Sequence, residues 1–109
     1  MNIDFKLDSG ILYVLLSGEL DEYSANFIRE SMDNAFENNK FEAVVFELTN
    51  LDFMDSTGVG VLIGRYKKLK KRNKSMYISN PTMAVEKIFN MSGIYDIMPK
   101  ISWGVELWK

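Results

Sequence analysis

Residues 11–16, Ile11-Leu12-Tyr13-Val14-Leu15-Leu16, are apolar at every position. Alternate side chains of a strand point to opposite faces, so this run has no face to offer to water and belongs at the centre of a sheet covered on both sides. It forms the core of a strand over residues 11–17, closed by Gly18. Residues 3–7 read as a partner strand across a turn at Asp8-Ser9-Gly10, which makes an antiparallel hairpin.

Helical periodicity alternates with further strands along the rest of the chain. Residues 23–38 place Phe27, Ile28, Met32, Ala35 and Phe36 near one face of a helix, with Asp21 or Ser24 as its N-cap. Residues 43–48 are β-branched and mostly apolar, a strand, and a loop follows. A second helix is expected over residues 56–72, where Val59, Leu62, Ile63, Tyr66 and Leu69 recur at offsets 0, 3, 4, 7 and 10. Residues 76–78 read as a short strand. Asn80-Pro81 reads as a cap and first-turn proline opening a third helix that runs to about Met91, with Gly93 where a terminating glycine belongs. Residues 95–98 suit a last strand. The tail, residues 101–109, carries Trp103 and Trp108 and no pattern that assigns it an element; the tryptophans suit packing on the domain or anchoring a partner equally. The order β-β-α-β-α-β-α-β implies an α/β fold with a mixed, mostly parallel sheet, in one domain over residues 1–109.

What is missing narrows function. The 109 residues include no cysteine and no histidine, which removes disulfides, thiolate metal sites, cysteine nucleophiles and any Ser-His-Asp machinery. No cofactor motif is present, and catalysis is not expected. Asp21, Asp52 and Asp55 do not fix enough oxygen ligands to hold a cation. A net charge of −2 argues against general nucleic-acid or membrane binding. The start, Met1-Asn2-Ile3-Asp4, has no basic or apolar leader character, and no apolar stretch approaches the ~20 residues of a membrane helix. A cytoplasmic protein is expected.

The informative stretch is Leu51-Asp52-Phe53-Met54-Asp55-Ser56-Thr57-Gly58-Val59-Gly60, which delivers a polar turn to the start of the second helix. Local physics offers three readings. In the first, Asp55 or Ser56 simply caps the helix, and Gly58, Gly60 and Gly64 let it lie close on the sheet. In the second, the turn binds phosphate or acts as a nucleophile. Here the detail fails: Gly64 falls one place late for a dinucleotide fingerprint, Arg65-Tyr66 follows where a Walker sequence needs Lys-Ser/Thr, and no histidine serves a nucleophile elbow. In the third, Ser56 is another protein's kinase substrate, exposed at a positive helix end that tolerates a dianion. Spacing alone favours the cap.

Resemblance favours the third reading. Residues 53–67, from Phe53-Met54-Asp55-Ser56-Thr57-Gly58 through Arg65-Tyr66-Lys67, resemble the signature of bacterial anti-sigma factor antagonists of the STAS-domain kind, in particular the sporulation branch. Ser17-Gly18-Glu19-Leu20-Asp21 resembles that family's turn after the second strand, and residues 85–94 resemble its third-helix ending. The resemblance spans about residues 3–98. It implies a STAS fold and a partner-switching cycle. The unphosphorylated protein binds an anti-sigma factor that is also a serine kinase, freeing a sigma factor. That kinase phosphorylates the serine matching Ser56 and is thereby released, and a serine phosphatase restores the protein. By position, Asp21 joins the partner-facing turn while Asp55, Thr57 and Gly58 shape the phosphosite. Thr57 stands where some relatives carry serine, so two adjacent hydroxyls remain in play. Such an antagonist is a monomer when free and has no direct nucleic-acid or membrane partner. The alternative is a STAS subunit of a larger sensory or scaffold assembly.

Two other features suit bland explanations. Seven of 13 basic residues fall between Arg65 and Lys74 with no acid among them, and are expected to solvate the second helix and complement its C-terminal dipole. Met32, Met76, Met83 and Met91 are expected as core filler.

Overall fold

In the computed structural model, which describes residues 1–102, β1 (Asn2–Asp8) and β2 (Ile11–Leu20) form the expected hairpin. Asp8 pairs with Ile11, and the two residues between them, Ser9 and Gly10, take left-handed φ values of 50° and 80°. That two-residue turn matches the twist of the strands it joins and favours glycine at its second position. α1 (Ala25–Asn38) then crosses to β3 (Ala43–Glu47), α2 (Ser56–Lys70) to β5 (Ser75–Ser79), and α3 (Met83–Ser92) to β6 (Lys100–Ile101). A further short strand, β4 (Leu51–Met54), lies between β3 and α2. The sheet runs β1-β2-β3-β5-β6 with β4 also paired to β2, and every pairing is parallel except that of the hairpin. This is the expected α/β, mostly parallel architecture. Among the described residues no helix is long and apolar enough to cross a membrane.

One face of the sheet makes the core. Leu12, Val14 and Leu16 of β2, Val44 and Phe46 of β3, and Met76 and Ile78 of β5 meet Ile28, Met32 and Phe36 of α1, Leu62 and Leu69 of α2, and Val85 and Phe89 of α3. Tyr13 and Val45, on the opposite face, are also buried, whereas Ile11 and Leu15 on that face are half-buried, so β2 lies inside the sheet but its second face is covered less completely than its composition suggests.

Several local expectations are corrected. The supposed loop after β3 contains β4. After Glu47 the chain jogs at Thr49-Asn50 and resumes alongside the far half of β2, pairing Gly18 with Leu51, Glu19 with Phe53 and Leu20 with Met54. The register step leaves Asp52 as the extra residue, which breaks the alternation that marks a strand in sequence. α2 ends at Lys70 rather than Arg72, in a turn where the N–H groups of Arg72 and Lys74 both donate to the Leu69 carbonyl.

α3 is not capped by Asn80. The Asn80 side chain donates instead to the buried carboxylate of Glu47 at 3.2 Å, and Thr82 takes the cap position, its hydroxyl accepting from Val85 N–H. Gly93 ends α3 in the left-handed conformation as expected. The chain then coils through a 3-10 turn at Ile94–Asp96, so the last strand is not residues 95–98 but β6.

On α1 the buried line is Ala25, Ile28, Met32 and Phe36, and Phe27 is turned outward and half exposed. Met32 and Met76 are core, whereas Met83 and Met91 are 91% and 81% exposed. Arg65 is no solvating cation: it is buried between α1 and α2, its Nε 3.1 Å from Asp33. Trp103 and Trp108 lie outside the described residues.

Candidate functional site

β2 and β4 run parallel and end side by side, so the turns that follow them meet. Leu20 pairs with Met54, and one step further the Asp55 N–H donates to the Leu20 carbonyl at 3.3 Å. The first turn, entering α1, is held by Asp21. Its Oδ1 accepts from the N–H groups of Tyr23 (2.9 Å) and Ser24 (3.1 Å), while Ser24 Oγ accepts from Asp21 N–H and donates to the Glu19 carbonyl. Ser24 occupies the cap position of α1 without capping through its side chain, and Asp21 instead fixes the preceding turn.

The second turn is held by Asp55. Its backbone is extended, its Oδ1 accepts from Gly58 N–H at 3.1 Å, and its carbonyl accepts from Val59 N–H. Asp55 is therefore the N-cap of α2, satisfying one of the donors a helix start leaves orphaned. Ser56 is the first helical residue, exposed, and its hydroxyl makes no hydrogen bond among the described residues. Thr57 is half-buried. Gly58 is buried, and a Cβ there would lie 2.6 Å from Met54 Cγ and 2.8 Å from the Leu20 oxygen. Among the described residues the same addition at Gly60 or Gly64 meets nothing within 4 Å, contrary to the expectation for those two, so of the three glycines Gly58 is the one that allows the close approach.

The structure thus brings Asp21, Asp55, Ser56, Thr57 and Gly58 to one end of the molecule. Glu19, Glu22 and Asp52 flank them, and no lysine or arginine occurs between Lys6 and Arg29 or between Lys40 and Arg65. The region is acidic except for the positive end of the α2 dipole, which faces Ser56. A hydroxyl there, freed from capping, can take a phosphoryl group without loss of a structural hydrogen bond. Sequence reasoning missed the apolar neighbours of this end. Ile88 and Met91 of α3 line a groove with Ser56, and Tyr23, Phe27 and Phe53 are exposed near the Asp21 turn. The only available signal was the break in helical phase at Phe27 and Met91.

Comparison with known proteins finds a STAS-domain model matching residues 2–106. The anti-sigma F factor antagonist of Paenibacillus polymyxa is 39% identical over 91% of this chain and 86% of its own length. The anti-sigma-B factor antagonist of Bacillus subtilis is 32% identical over 90% and 88%. Among solved structures, the anti-sigma factor antagonist SpoIIAA in its unphosphorylated form matches with a TM-score of 0.79 at 26% identity, over 93% of this chain and 89% of that one. Its phosphorylated form matches with a TM-score of 0.71 at 25% identity, over 93% and 92%.

Proposed function

The chain belongs to the STAS-domain family, among its anti-sigma factor antagonists, and on that premise we propose that it is a partner switch whose state is set by phosphate on Ser56. Unphosphorylated, it binds an anti-sigma factor that is also a serine kinase and so frees a sigma factor. The kinase transfers the γ-phosphoryl group of ATP to Ser56 Oγ, the hydroxyl proton leaves, and the complex dissociates. A serine phosphatase hydrolyses the ester and resets the cycle. The chain is substrate and ligand in this cycle, not catalyst. It needs no cofactor, works as a cytoplasmic monomer and does not touch nucleic acid.

The observation that carries the reading is the division of labour at the start of α2. Asp55 does the capping, and Ser56 Oγ is left exposed and unbonded among the described residues. That favours Ser56 over the half-buried Thr57 as the acceptor. Phosphorylation adds about −1.5 to −2 charges beside Asp55, on an end of the molecule that is already acidic. The α2 dipole and the exposed N-terminal turn let the fold tolerate the dianion, while an interface closed over it must strip its water. A tenfold loss of affinity requires only about 1.4 kcal/mol, and an unpaired phosphate buried at an interface costs several times that. That relatives of this fold are known in phosphorylated and unphosphorylated forms supports the same cycle.

The test is intact-mass spectrometry and peptide mapping after incubation with the host's anti-sigma factor and ATP. One phosphate on Ser56 is expected, absent from Ser56→Ala, and Ser56→Ala should stay bound in the presence of ATP. Phosphate on Thr57, or ATP-dependent release of Ser56→Ala, would sink the assignment.

A further inference from the structure

We propose that Thr82 is a positioning residue for the Ser56 switch: its hydroxyl fastens the start of α3 to the start of β4 and so fixes how α3 stands beside Ser56. The inference rests on the reading of Ser56 as a kinase's substrate.

The hydroxyl works twice. Thr82 Oγ1 accepts from Val85 N–H at 3.4 Å, capping α3, and donates to the Leu51 carbonyl at 2.9 Å. A hydroxyl has one proton to give and lone pairs to accept with, so one atom serves both bonds. The second bond is not needed to cap the helix. It ties residues 31 apart in sequence, and the Leu51 side chain it anchors beside is fully buried. The residues before Thr82 are held in the same sense. Asn80, in the left-handed region at φ 51°, donates to the Glu47 carboxylate at the end of β3, and Pro81 between the two ties fixes its own φ.

Geometry carries a displacement at the Thr82 bond to the phosphosite. From Leu51 the chain runs to Ser56 over about 16 Å of extended backbone. From Thr82 it runs to Met91 over about 14 Å of helix. The two elements start from one hydrogen bond and end beside one another, where Ser56 shares a groove with Ile88, Met91 and Ser92. Val85 and Phe89 hold the middle of α3 in the core. With the Thr82 end released, α3 tilts about them and its far end moves against Ser56. The tilt alters how the protein fits its kinase and leaves the Ser56 hydroxyl chemically unchanged.

The cap and the tie can be separated by substitution. Aspartate caps a helix at least as well as threonine. Its carboxylate has no proton to donate at neutral pH, so Thr82→Asp keeps the bond to Val85 and loses the bond to Leu51. Thr82→Ser keeps both and Thr82→Ala loses both.

The experiment measures kcat and KM for phosphorylation by the purified anti-sigma factor of the host with ATP, the urea midpoint, and the NMR shifts of the Ser56 and Met91 amides, for wild type and the three variants. Thr82→Asp is expected to keep the wild-type midpoint, to raise KM about fivefold with kcat within about twofold, and to shift both distant amides. Thr82→Ser should match wild type throughout, and Thr82→Ala should repeat the rise in KM with a lowered midpoint. Thr82→Asp with a wild-type KM, or with both amides unmoved, overturns the inference and leaves the Ser56 switch intact. So does a rise in KM confined to variants with a lowered midpoint, or a Thr82→Ser that loses as much as Thr82→Asp. Wild type that takes no phosphate removes the switch, and this role of Thr82 with it.

Discussion

The Asp55 N–H donates to the Leu20 carbonyl at 3.3 Å, so the turn that presents Ser56 is tied to the turn that contains Asp21 through a single backbone oxygen. The two turns lie more than thirty residues apart in sequence, yet their relative position is fixed where β2 and β4 end together. Gly58 is what lets that oxygen be shared.

A methyl group at Gly58 would meet Met54 Cγ at 2.6 Å, the Leu20 oxygen at 2.8 Å and Leu20 Cγ at 3.0 Å. The thioether chain can move, but a backbone carbonyl in a ladder cannot. Gly58→Ala gains up to about 1 kcal/mol of helix propensity and loses about 1–3 kcal/mol to overpacking, so net destabilisation is expected. Gly60→Ala and Gly64→Ala, with open space around the added atom, should instead stabilise by up to about 1 kcal/mol each. Urea midpoints of the three variants test the contrast. A neutral or stabilising Gly58→Ala would show that the two turns can separate without cost.

The cap can be assigned by the same kind of measurement. Asp55→Ala should lose about 1 kcal/mol, and Asp55→Asn only a few tenths, because asparagine keeps the acceptor for Gly58 N–H. Ser56→Ala should change stability by less than about 0.5 kcal/mol. If Ser56→Ala cost as much as Asp55→Ala, the hydroxyl would have a structural role and would be less suited to modification.

How far the sequence foretold this arrangement depended on whether the signal was local. The apolar run of residues 11–16, the Ser9-Gly10 turn and Gly93 each carry their own conformational demand, and each was found where expected. The residues proposed to shape the phosphosite are contiguous from Asp55 to Gly58, so their nearness to one another was legible. Their meeting with Asp21 was suggested by resemblance, but the bond that enforces it depends on β4. That strand could not be seen, because Leu51, Asp52, Phe53 and Met54 are buried, exposed, exposed and buried around a register step. Asn80 misled for a related reason: its cap preference lost to a buried carboxylate from β3, a partner thirty-three residues away. Arg65 looked like one of a solvent-facing run because nothing in its neighbourhood of sequence announces Asp33.

Arg65 and Asp33 also make an asymmetric prediction. Arg65 is 7% exposed, its Nε lies 3.1 Å from Asp33 Oδ1, and among the described residues its Nε and Nη1 make no well-formed hydrogen bond. Asp33, 31% exposed and also paired with Lys68, is the group that offsets the buried charge. Removing the acid strands a cation between α1 and α2, whereas removing the cation leaves an acid with access to water. Asp33→Ala is therefore expected to cost about 1–3 kcal/mol, and Arg65→Met distinctly less, with Asp33→Ala/Arg65→Met recovering most of the loss. Equal costs for the two single variants, in denaturant titrations, would mean that Arg65 is held by packing of its stem and not by the ion pair.

A different trio, Glu86, Tyr95 and Lys100, makes stability depend on pH at both extremes. The Tyr95 hydroxyl donates to Glu86 Oε1, and Lys100 Nζ donates to both carboxylate oxygens at 3.2 and 3.0 Å, joining α3 to the 3-10 turn and β6. The tyrosine bond, opposed by partial burial and aided by the bond and charge of Lys100, holds the Glu86 carboxyl below its ordinary range. Burial first, then the bond to and charge of Glu86, push the Tyr95 hydroxyl above its ordinary range. A carboxylate with a lowered folded pKa stabilises fully above its unfolded value, near 4.3, and loses that contribution as pH falls through the folded one. A phenol with a raised folded pKa stabilises fully below its unfolded value, near 10, and loses its contribution as pH rises beyond it. Tyr95→Phe abolishes the second dependence and removes the largest cause of the first. The stability difference between wild type and Tyr95→Phe should therefore be constant across neutral pH, and should shrink both below about pH 4 and above about pH 10. Urea midpoints of the two proteins at acid, neutral and alkaline pH measure it. A difference that did not change with pH would show that Tyr95 contributes through packing against Phe89 alone, whose ring lies 5.7 Å away.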